Sequence, residues 1–396
     1  MDSENRPLRI LHVVESLDPA MGGPPVVALK LATAQARQGD DVHMMSYRVP
    51  GAEEDIETFF AETPDSRLVG QKLLGPASRL ERLMGQGVAR AAPDIMRDMD
   101  VVHLHGVWAP MLMRVAREAR RLGVGYVATP HGMLHPWIMS QGWLKKRAGL
   151  WLNRSMLDHA MFVHALNAQE RQVVERMRFA SPIEVFANGM FAEEIADLPP
   201  RGSFRARHPE LGQAPYILFL SRLHVKKGTD YLAEAFSLLG RLRPNVHLVV
   251  VGPDGGAGPA MRRRVRECGL TRRVHFLGAL YGQAKKEVIV DAHVFCLPSR
   301  EEGLSIAILE ALSAGVPCVL TRTCNFPEVE EAGAGYVVDS DPASIALALQ
   351  KVVDDPAGWP LMSEAGRRLV LDRFTWPVIA RQAGAAYRRH LARAAA

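Results

Sequence analysis

Short apolar runs that end in a loop and lead into a helix-period stretch recur along this chain, and that alternation leaves few folds open. The first instance is Leu8-Arg9-Ile10-Leu11-His12-Val13-Val14, then a loop through Gly22-Gly23-Pro24-Pro25, a helical pattern from Val26 to Gln38, a stop at Gly39, and a second run at Asp41-Val42-His43-Met44-Met45. A strand, a helix and a strand of these lengths form a crossover unit with parallel strands. The pattern returns at Asp100 to His105, a helix near Met111 to Arg121, and Gly125 to Thr129. From about Asn188 to Gln213 it lapses into Gly, Pro, Arg and Glu, as in Leu198-Pro199-Pro200-Arg201-Gly202, which reads as an interdomain linker. Alternation then restarts with Tyr216 to Leu220, a helix over Thr229 to Leu239, Val246 to Val251, Val274 to Leu277, His293 to Leu297 and Pro317 to Leu320. The expected fold is α/β, two doubly wound Rossmann-like domains facing across a cleft, with ligands at the carboxyl ends of both sheets. Length agrees, since 396 residues at roughly 150 per domain make two domains, three at most.

Charge and cysteine usage narrow the function classes. The 48% hydrophobic and 23% charged residues exclude disordered, collagen-like and coiled-coil chains. A net charge of +5 fits an anionic ligand or an anionic membrane surface as well as it fits nucleic acid. Cys268, Cys296, Cys318 and Cys324 form no Cys-x-x-Cys pair, so neither a disulfide framework nor a zinc ribbon is expected, and a reducing compartment is the simpler reading. No apolar stretch reaches the ~18 residues of a membrane span. The N-terminus is polar and mixed in charge through Arg6, so no signal peptide or anchor is expected.

Four loops carry candidate chemistry. The first is Ser299-Arg300-Glu301-Glu302-Gly303-Leu304-Ser305, leading into a helix expected over Leu304 to Ala314 and stopped by Gly315 and Pro317. Glu302 lies at the helix mouth and Glu310 eight residues on, roughly 12 Å along the axis at ~1.5 Å per residue. That is the reach of a nucleoside diphosphate from sugar to ribose; each carboxylate can hold a vicinal diol, and the N–H groups of the helix start suit a pyrophosphate between them. The plainer reading is two solvated acids on an amphipathic helix. The second loop, Ser221-Arg222-Leu223-His224-Val225-Lys226-Lys227-Gly228, brings Arg222 and Lys227 to a strand end, where two cations can neutralise a departing diphosphate; a solvated basic turn is the alternative. It is not a Walker loop, because Gly228 follows its lysine.

The third loop is Thr129-Pro130-His131-Gly132. His131 there can donate a hydrogen bond to substrate, or its carbonyl can stabilise positive charge on a sugar; equally it is a satisfied structural side chain. His103 and His105 raise a metal cluster, but no carboxylate or cysteine joins them at ligand spacing. The fourth, Asp18 to Pro24, lacks the Gly-x-Gly-x-x-Gly fingerprint, which disfavours a dinucleotide cofactor, while Gly22 and Gly23 still permit close approach of a phosphate or sugar.

Together these residues resemble the retaining glycosyltransferases of the GT-B fold, in particular glycosyltransferase family 4, along nearly the whole chain, from Gly22-Gly23 through Arg222 and Lys227 and the Glu302 and Glu310 pair to Phe374-Thr375-Trp376. The resemblance implies that Arg222 and Lys227 hold the donor diphosphate, Glu310 the ribose hydroxyls and Glu302 the transferred sugar. It implies further that Gly303, Leu304 and Ser305 present backbone N–H groups to sugar and phosphate, Gly22 and Gly23 close over the donor, and His131 stands beside the reacting carbon. Two departures stand out: Ala187-Asn188-Gly189 where the family often has Pro-Asn-Gly, and Cys324-Asn325-Phe326-Pro327-Glu328 where it has a Gly-Gly. The second bears on donor-sugar preference.

The expected activity is that of a hexosyltransferase working with retention and without a metal or other cofactor. Its donor would be a nucleotide-diphosphate sugar and its acceptor a saccharide or lipid-linked saccharide of bacterial cell-surface polysaccharide synthesis. Nucleic acid is not an expected partner. No carboxylate of the first half offers a covalent nucleophile, so double displacement is unsupported, and the resemblance implies a front-face reaction in which the leaving phosphate takes the acceptor's proton. The rivals are a nucleotide-sugar 2-epimerase, a glycoside phosphorylase and a non-catalytic nucleotide-sugar binder. Expected boundaries are 1–195 for an acceptor domain, 196–374 for a donor domain and 375–396 for a helix returning to the first. Trp137, Trp143, Lys145, Lys146, Arg147, Trp151 and Arg154 mix aromatics and cations as an interfacial helix does, or belong to an ordinary packed helix. The expected location is the cytoplasm, and the first reading places the protein peripherally on the membrane's inner face.

Overall fold

The computed structural model describes residues 6–21, 23–136, 139 and 143–395. The chain divides into two compact units, Met1–Asn188 with Trp376–Ala396, and Gly189–Thr375. In the first, β1 (Arg9–Ser16), β2 (Asp41–Tyr47), β3 (Gly70–Leu74), β4 (Val101–His105), β5 (Gly125–Thr129), β6 (Phe162–Ala165) and β7 (Ile183–Val185) form a parallel sheet in the order β3-β2-β1-β4-β5-β6-β7. In the second, β8 (Tyr216–Leu220), β9 (His247–Val251), β10 (Val274–Gly278), β11 (Val294–Leu297), β12 (Cys318–Thr321) and β13 (Gly335–Val338) are ordered β10-β9-β8-β11-β12-β13, again parallel.

Central strands are buried on both faces, as at Tyr216, Ile217, Leu218 and Phe219, which is why they read as unbroken apolar runs. In both sheets the order reverses beside the first strand, between β1 and β4 and between β8 and β11. At such a switch point the loops leaving the two carboxyl ends diverge and open a crevice. The last helix, Trp376–Ala395, packs on helix Gly23–Arg37, with Trp376 and Tyr387 fully buried.

Two elements differ from expectation. The stretch expected as a linker is mostly built onto the second unit. Helix Ser203–Arg207 buries Phe204, and the Asp291 carboxylate accepts from the main-chain N–H of Gly202, of Phe204 at 2.9 Å and of Arg205 at 3.0 Å. The unit boundary therefore falls after Asn188, because Pro and Gly here mark capped turns. Second, the helix expected from Leu304 starts at Ile306. Gly303 and Leu304 stay outside it, and Ser305 takes an extended N-cap conformation.

Candidate functional site

The switch point of the second sheet gathers most of the residues singled out from sequence. Strands β8 and β11 pair directly, so the loops after them, 221–228 and 298–305, leave side by side. Gly228 permits their close approach. Its φ is +65°, and a Cβ there would meet the Pro298 carbonyl oxygen at 1.9 Å, an overlap no side chain tolerates. Arg300 fastens the two loops, donating from its main chain to Lys226 O at 2.8 Å and from its guanidinium to Val225 O at 2.7 Å. It also forms a two-pronged pair with Asp230 at 2.8 and 2.6 Å.

On that frame Lys227 Nζ donates to Glu302 Oε1 at 2.6 Å, and the same oxygen accepts from Ser299 Oγ at 2.6 Å. Glu302 is 7% exposed; its main chain is tied at both ends, the N–H donating to Thr323 O at 3.0 Å and the carbonyl accepting from Asn325 Nδ2 at 2.7 Å. Asn325 sits at φ +57°, a region asparagine tolerates better than most residues. So the segment that departs from the family pattern holds the loop bearing Glu302. Beside it, Lys226 pairs with the buried Glu301 at 2.8 Å.

Arg222 is exposed, its stem lying over Gly255, where a Cβ would come within 2.8 Å of the arginine Cδ. Among the described residues its guanidinium has no acidic partner. Glu310, on helix Ile306–Ser313, pairs with Lys285 at 2.6 Å. The Ser305 side chain makes no capping hydrogen bond to that helix, so its first turn has the anion-binding character of a helix start. Lys285 was not singled out in the sequence, and Ser299 and Asn325 were given no role there beyond membership of their segments; each lies in a loop or helix whose neighbour is set by strand order, not by spacing.

At the first sheet's switch point, Gly22 lies outside the described residues. Gly23 opens helix Gly23–Arg37, and a Cβ there would meet no protein atom within 4 Å. A pocket of about 150 Å³, mostly apolar, lies at the carboxyl ends of β1 and β4, lined among others by Ser16, Met21, Pro24, His105, Trp108 and Met133. His131 follows β5 at φ +52°, and its loop is held by Glu170, which accepts from the main-chain N–H of Gly132 at 2.5 Å and of Leu166 at 2.8 Å. His131 Nε2 lies 3.0 Å from His105 Nδ1, and His105 Nε2 2.9 Å from His12 Nδ1. Burial pushes His131 down to about 3 and His12 to about 4, with His103 and His105 well below the usual imidazole range.

His12, His103 and His105 bring ligand atoms within 4.8 Å of one another. Their rings stack, with interplanar angles of 19° to 30°, whereas ligation of one ion requires lone pairs that converge in the ring planes. All six ring nitrogens are also engaged in hydrogen bonds. These rings are built as a hydrogen-bonded stack.

Of the proposed interfacial segment, Trp137 lies outside the described residues, as do the side chains of Trp143, Lys145, Lys146 and Arg147. Trp151 is 77% and Leu152 59% exposed. Arg154 is exposed but bonded to protein acceptors, reaching Arg178 O at 2.7 Å and Asp158 at 3.1 Å. Among the described residues no helix is long and apolar enough to cross a membrane.

Two doubly wound parallel sheets with this strand order define the GT-B architecture of glycosyltransferases. Residues 22–189 match the family described as glycosyl transferase 4-like domain, and residues 200–368 that described as glycosyl transferases group 1. Among relatives, the GDP-mannose-dependent alpha-(1-6)-phosphatidylinositol monomannoside mannosyltransferase of Mycolicibacterium smegmatis is 31% identical over 317 residues, covering 76% of each chain. The MMP alpha-(1->4)-mannosyltransferase of Mycolicibacterium hassiacum is 27% identical over 76% of this chain and 72% of its own. Among solved structures, Anabaena HepE in complex with UDP and glucose superposes with a TM-score of 0.76 at 18% identity, covering 95% of this chain and 98% of that one. WaaG, a glycosyltransferase of lipopolysaccharide biosynthesis, does so at 0.69 and 16%, with the same coverage. The chain belongs to glycosyltransferase family 4 and is a glycosyltransferase.

Proposed function

We propose that this enzyme moves a hexose from a nucleotide-diphosphate sugar to a lipid-linked or saccharide acceptor with retention of configuration, the second unit binding the donor and the first the acceptor. The observation that carries the reading is the Lys227–Glu302 pair beside an uncapped helix start at the second sheet's switch point. Lys227 and Arg222 supply two cations to a diphosphate, and the N–H groups at Gly303, Leu304 and Ser305 supply neutral donors. Together they stabilise the leaving group by fixed charge and dipole, without a metal. Glu302 then orients the sugar hydroxyls and Glu310 takes the ribose diol, each exchanging a lysine partner for substrate.

In the same reading Gly22 and Gly23, the latter with no protein atom within 4 Å of a Cβ built on it, are assigned to the donor's phosphate or sugar, and His131 to the reacting carbon. The leaving phosphate accepts the acceptor's proton as the new glycosidic bond forms on the face the phosphate departs from. A lipid-linked acceptor is supported by the phosphatidylinositol-directed mannosyltransferases among the relatives. With it goes an interfacial role for the exposed Trp151 and Leu152 on the membrane's cytoplasmic side.

The test is a binding and hydrolysis screen of UDP-, GDP- and ADP-sugars in EDTA, with Glu310→Ala and Lys227→Ala alongside. Binding of one donor that survives EDTA and is lost in both variants is expected. Binding untouched by either variant overturns the site. Conversion of a donor to its 2-epimer without acceptor turns the reading into an epimerase.

A further inference from the structure

A hydrogen-bonded chain crosses the core of the first unit and ends on His131. Its inner end is the main-chain carbonyl of Phe186, 2.7 Å from His164 Nε2. His164 Nδ1 lies 2.9 Å from Thr129 Oγ1, which lies 2.6 Å from His103 Nε2. His103 Nδ1 is 2.6 Å from the Tyr387 hydroxyl, and Gln35 Nε2 reaches that hydroxyl at 3.3 Å. Gln35 Oε1 lies 2.7 Å from His12 Nε2, and the chain continues from His12 Nδ1 to His105 at 2.9 Å and on to His131 Nε2 at 3.0 Å.

The direction of every bond in it follows from one group. A carbonyl oxygen has no proton to give, so His164 carries its proton on Nε2. Burial keeps these imidazoles neutral, His164 being pushed down to about 3, and a neutral imidazole has one N–H and one lone pair. His164 Nδ1 therefore accepts from the Thr129 hydroxyl, whose oxygen accepts from His103 Nε2. His103 Nδ1 accepts from the Tyr387 hydroxyl, and that oxygen accepts from the Gln35 amide N–H. This leaves Gln35 Oε1 to accept from His12 Nε2, His12 Nδ1 from His105 Nε2, and His105 Nδ1 from His131 Nε2. Each link has one donor and one acceptor with no mismatch, so reversing any one of them creates a buried donor–donor or acceptor–acceptor clash.

We infer that the Phe186 carbonyl, acting through this chain, locks His131 in the Nε2–H tautomer with Nδ1 as a bare acceptor, and that Gln35 and Tyr387 are positioning residues for that lock. Nδ1 has no partner among the described residues. The chain is no proton conduit, because its inner end is a buried carbonyl with nothing to exchange and Phe186 and His164 are shielded from water. The consequence for substrate rests on the reading of His131 as sugar-facing: its partner there is a hydrogen-bond donor, a hydroxyl, and not a phosphate oxygen. The last helix, through Tyr387, thereby sets the chemistry of a residue that a distant segment of the chain supplies.

The test uses the full-length chain with 15N-labelled histidine and long-range 1H–15N correlation of the rings at pH 7.5. The wild type should show His131 with a protonated Nε2 and a far-downfield, unprotonated Nδ1. Tyr387→Phe frees the Gln35 amide to turn over, and Gln35→Met cuts the chain; in both, the two His131 nitrogen shifts should move toward each other as tautomers mix, while Thr129→Ser, which keeps the hydroxyl, should retain the wild-type pattern. A wild-type ring protonated at Nδ1 overturns the inference without any variant, and so do Tyr387→Phe and Gln35→Met spectra identical to wild type. Donor titrations read the other question separately: loss of a role for His131 in donor binding leaves the ring shifts where they are.

Discussion

Lys227 Nζ and Glu302 Oε1 stand 2.6 Å apart across 75 residues of chain, each the counter-ion of the other at the meeting of two strand-end loops. Among the described residues, removing the lysine alone leaves a 7% exposed carboxylate with the Ser299 hydroxyl as its side-chain donor, so Lys227→Ala should lower both donor affinity and thermal stability. A hydrogen bond from a charged group is worth about 1.5–3 kcal/mol, so affinity should fall roughly 10- to 150-fold. Lys227→Met combined with Glu302→Gln removes both charges. It should recover most of the lost melting temperature and none of the donor affinity, as read by thermal denaturation beside calorimetric titration. Full recovery of binding in the double variant would remove Lys227 from the diphosphate site.

Glu310 makes a parallel pair with Lys285 at 2.6 Å, and in the proposed reading a ribose diol displaces that lysine. Glu310→Gln should weaken binding of a nucleoside diphosphate by roughly 10- to 100-fold, the range for a hydrogen bond to a charged acceptor. The 2′,3′-dideoxy diphosphate, which has no diol, should bind wild type and variant alike. A variant that weakens both ligands equally would place Glu310 on the phosphate or the base.

The fold was legible where burial on both faces made strands unbroken and apolar, as at Tyr216–Leu220 and His247–Val251. It was hidden at β3, an exposed edge strand reading Gly-Gln-Lys-Leu-Leu, at the three-residue edge strand β7, and at β6 and β13, four residues each. Length alone did not hide them, since β11 and β12 also have four residues each; β6 follows helix Trp143–Asp158 after three residues with no Gly or Pro to mark the change. Within the candidate site, Lys227 and Glu302 could be picked out because the ligand crevice of a doubly wound sheet lies at strand ends. Lys285 and Asn325 could not, because their proximity comes from strand order. Gln35 and Tyr387 left one signal, polar side chains at positions the helix period assigns to the core, which nothing in their spacing connected to His131.

Acid should unfold the first unit early. His12, His103, His105, His131 and His164 are all held below the ordinary 6.5 by burial, with His12 at about 4 and His131 and His164 at about 3. As pH drops through 6.5 the unfolded chain takes up protons that the native rings refuse, so stability is full above that pH and is lost below it. Each group contributes about 1.4 kcal/mol per pH unit, about 7 for five. Against a total of about 5–15 kcal/mol, unfolding should come roughly 1–2 units below 6.5. Hydrogen exchange at pH 7 and 5.5 should show amides of β1, β4 and β5 losing protection ahead of β8 and β11. Equal protection loss in both sheets would contradict the assignment.

Asp291 is 2% exposed and holds the start of helix Ser203–Arg207 through three main-chain N–H groups. Asp291→Ala orphans all three, and with about 1 kcal/mol for a typical cap and more for buried donors, a loss of about 2–4 kcal/mol is expected. Limited proteolysis should then cut within 198–213, a stretch that should resist in the wild type. An uncut, equally stable variant would return this stretch to the status of a linker.

Trp151 and Leu152 lie adjacent on helix Trp143–Asp158 at 77% and 59% exposure, an arrangement that leaves large apolar area in water unless something covers it. A bilayer surface would bury both side chains, at about 1.5–3 kcal/mol each, and the chain's net charge of +5 favours anionic lipid. Trp151→Ser with Leu152→Ser should therefore reduce cosedimentation with phosphatidylglycerol-containing vesicles by tenfold or more. Surface substitutions of this kind change stability by about 0.5 kcal/mol or less, so melting temperature and donor binding should hold. Raising the salt should weaken the wild type's vesicle binding as well, because the cationic part of the attraction is screened beyond about 8 Å at physiological ionic strength. Vesicle binding that survives the double change would move the lipid contact to another face, and binding of neither protein to any vesicle would leave these two side chains to a soluble acceptor or partner.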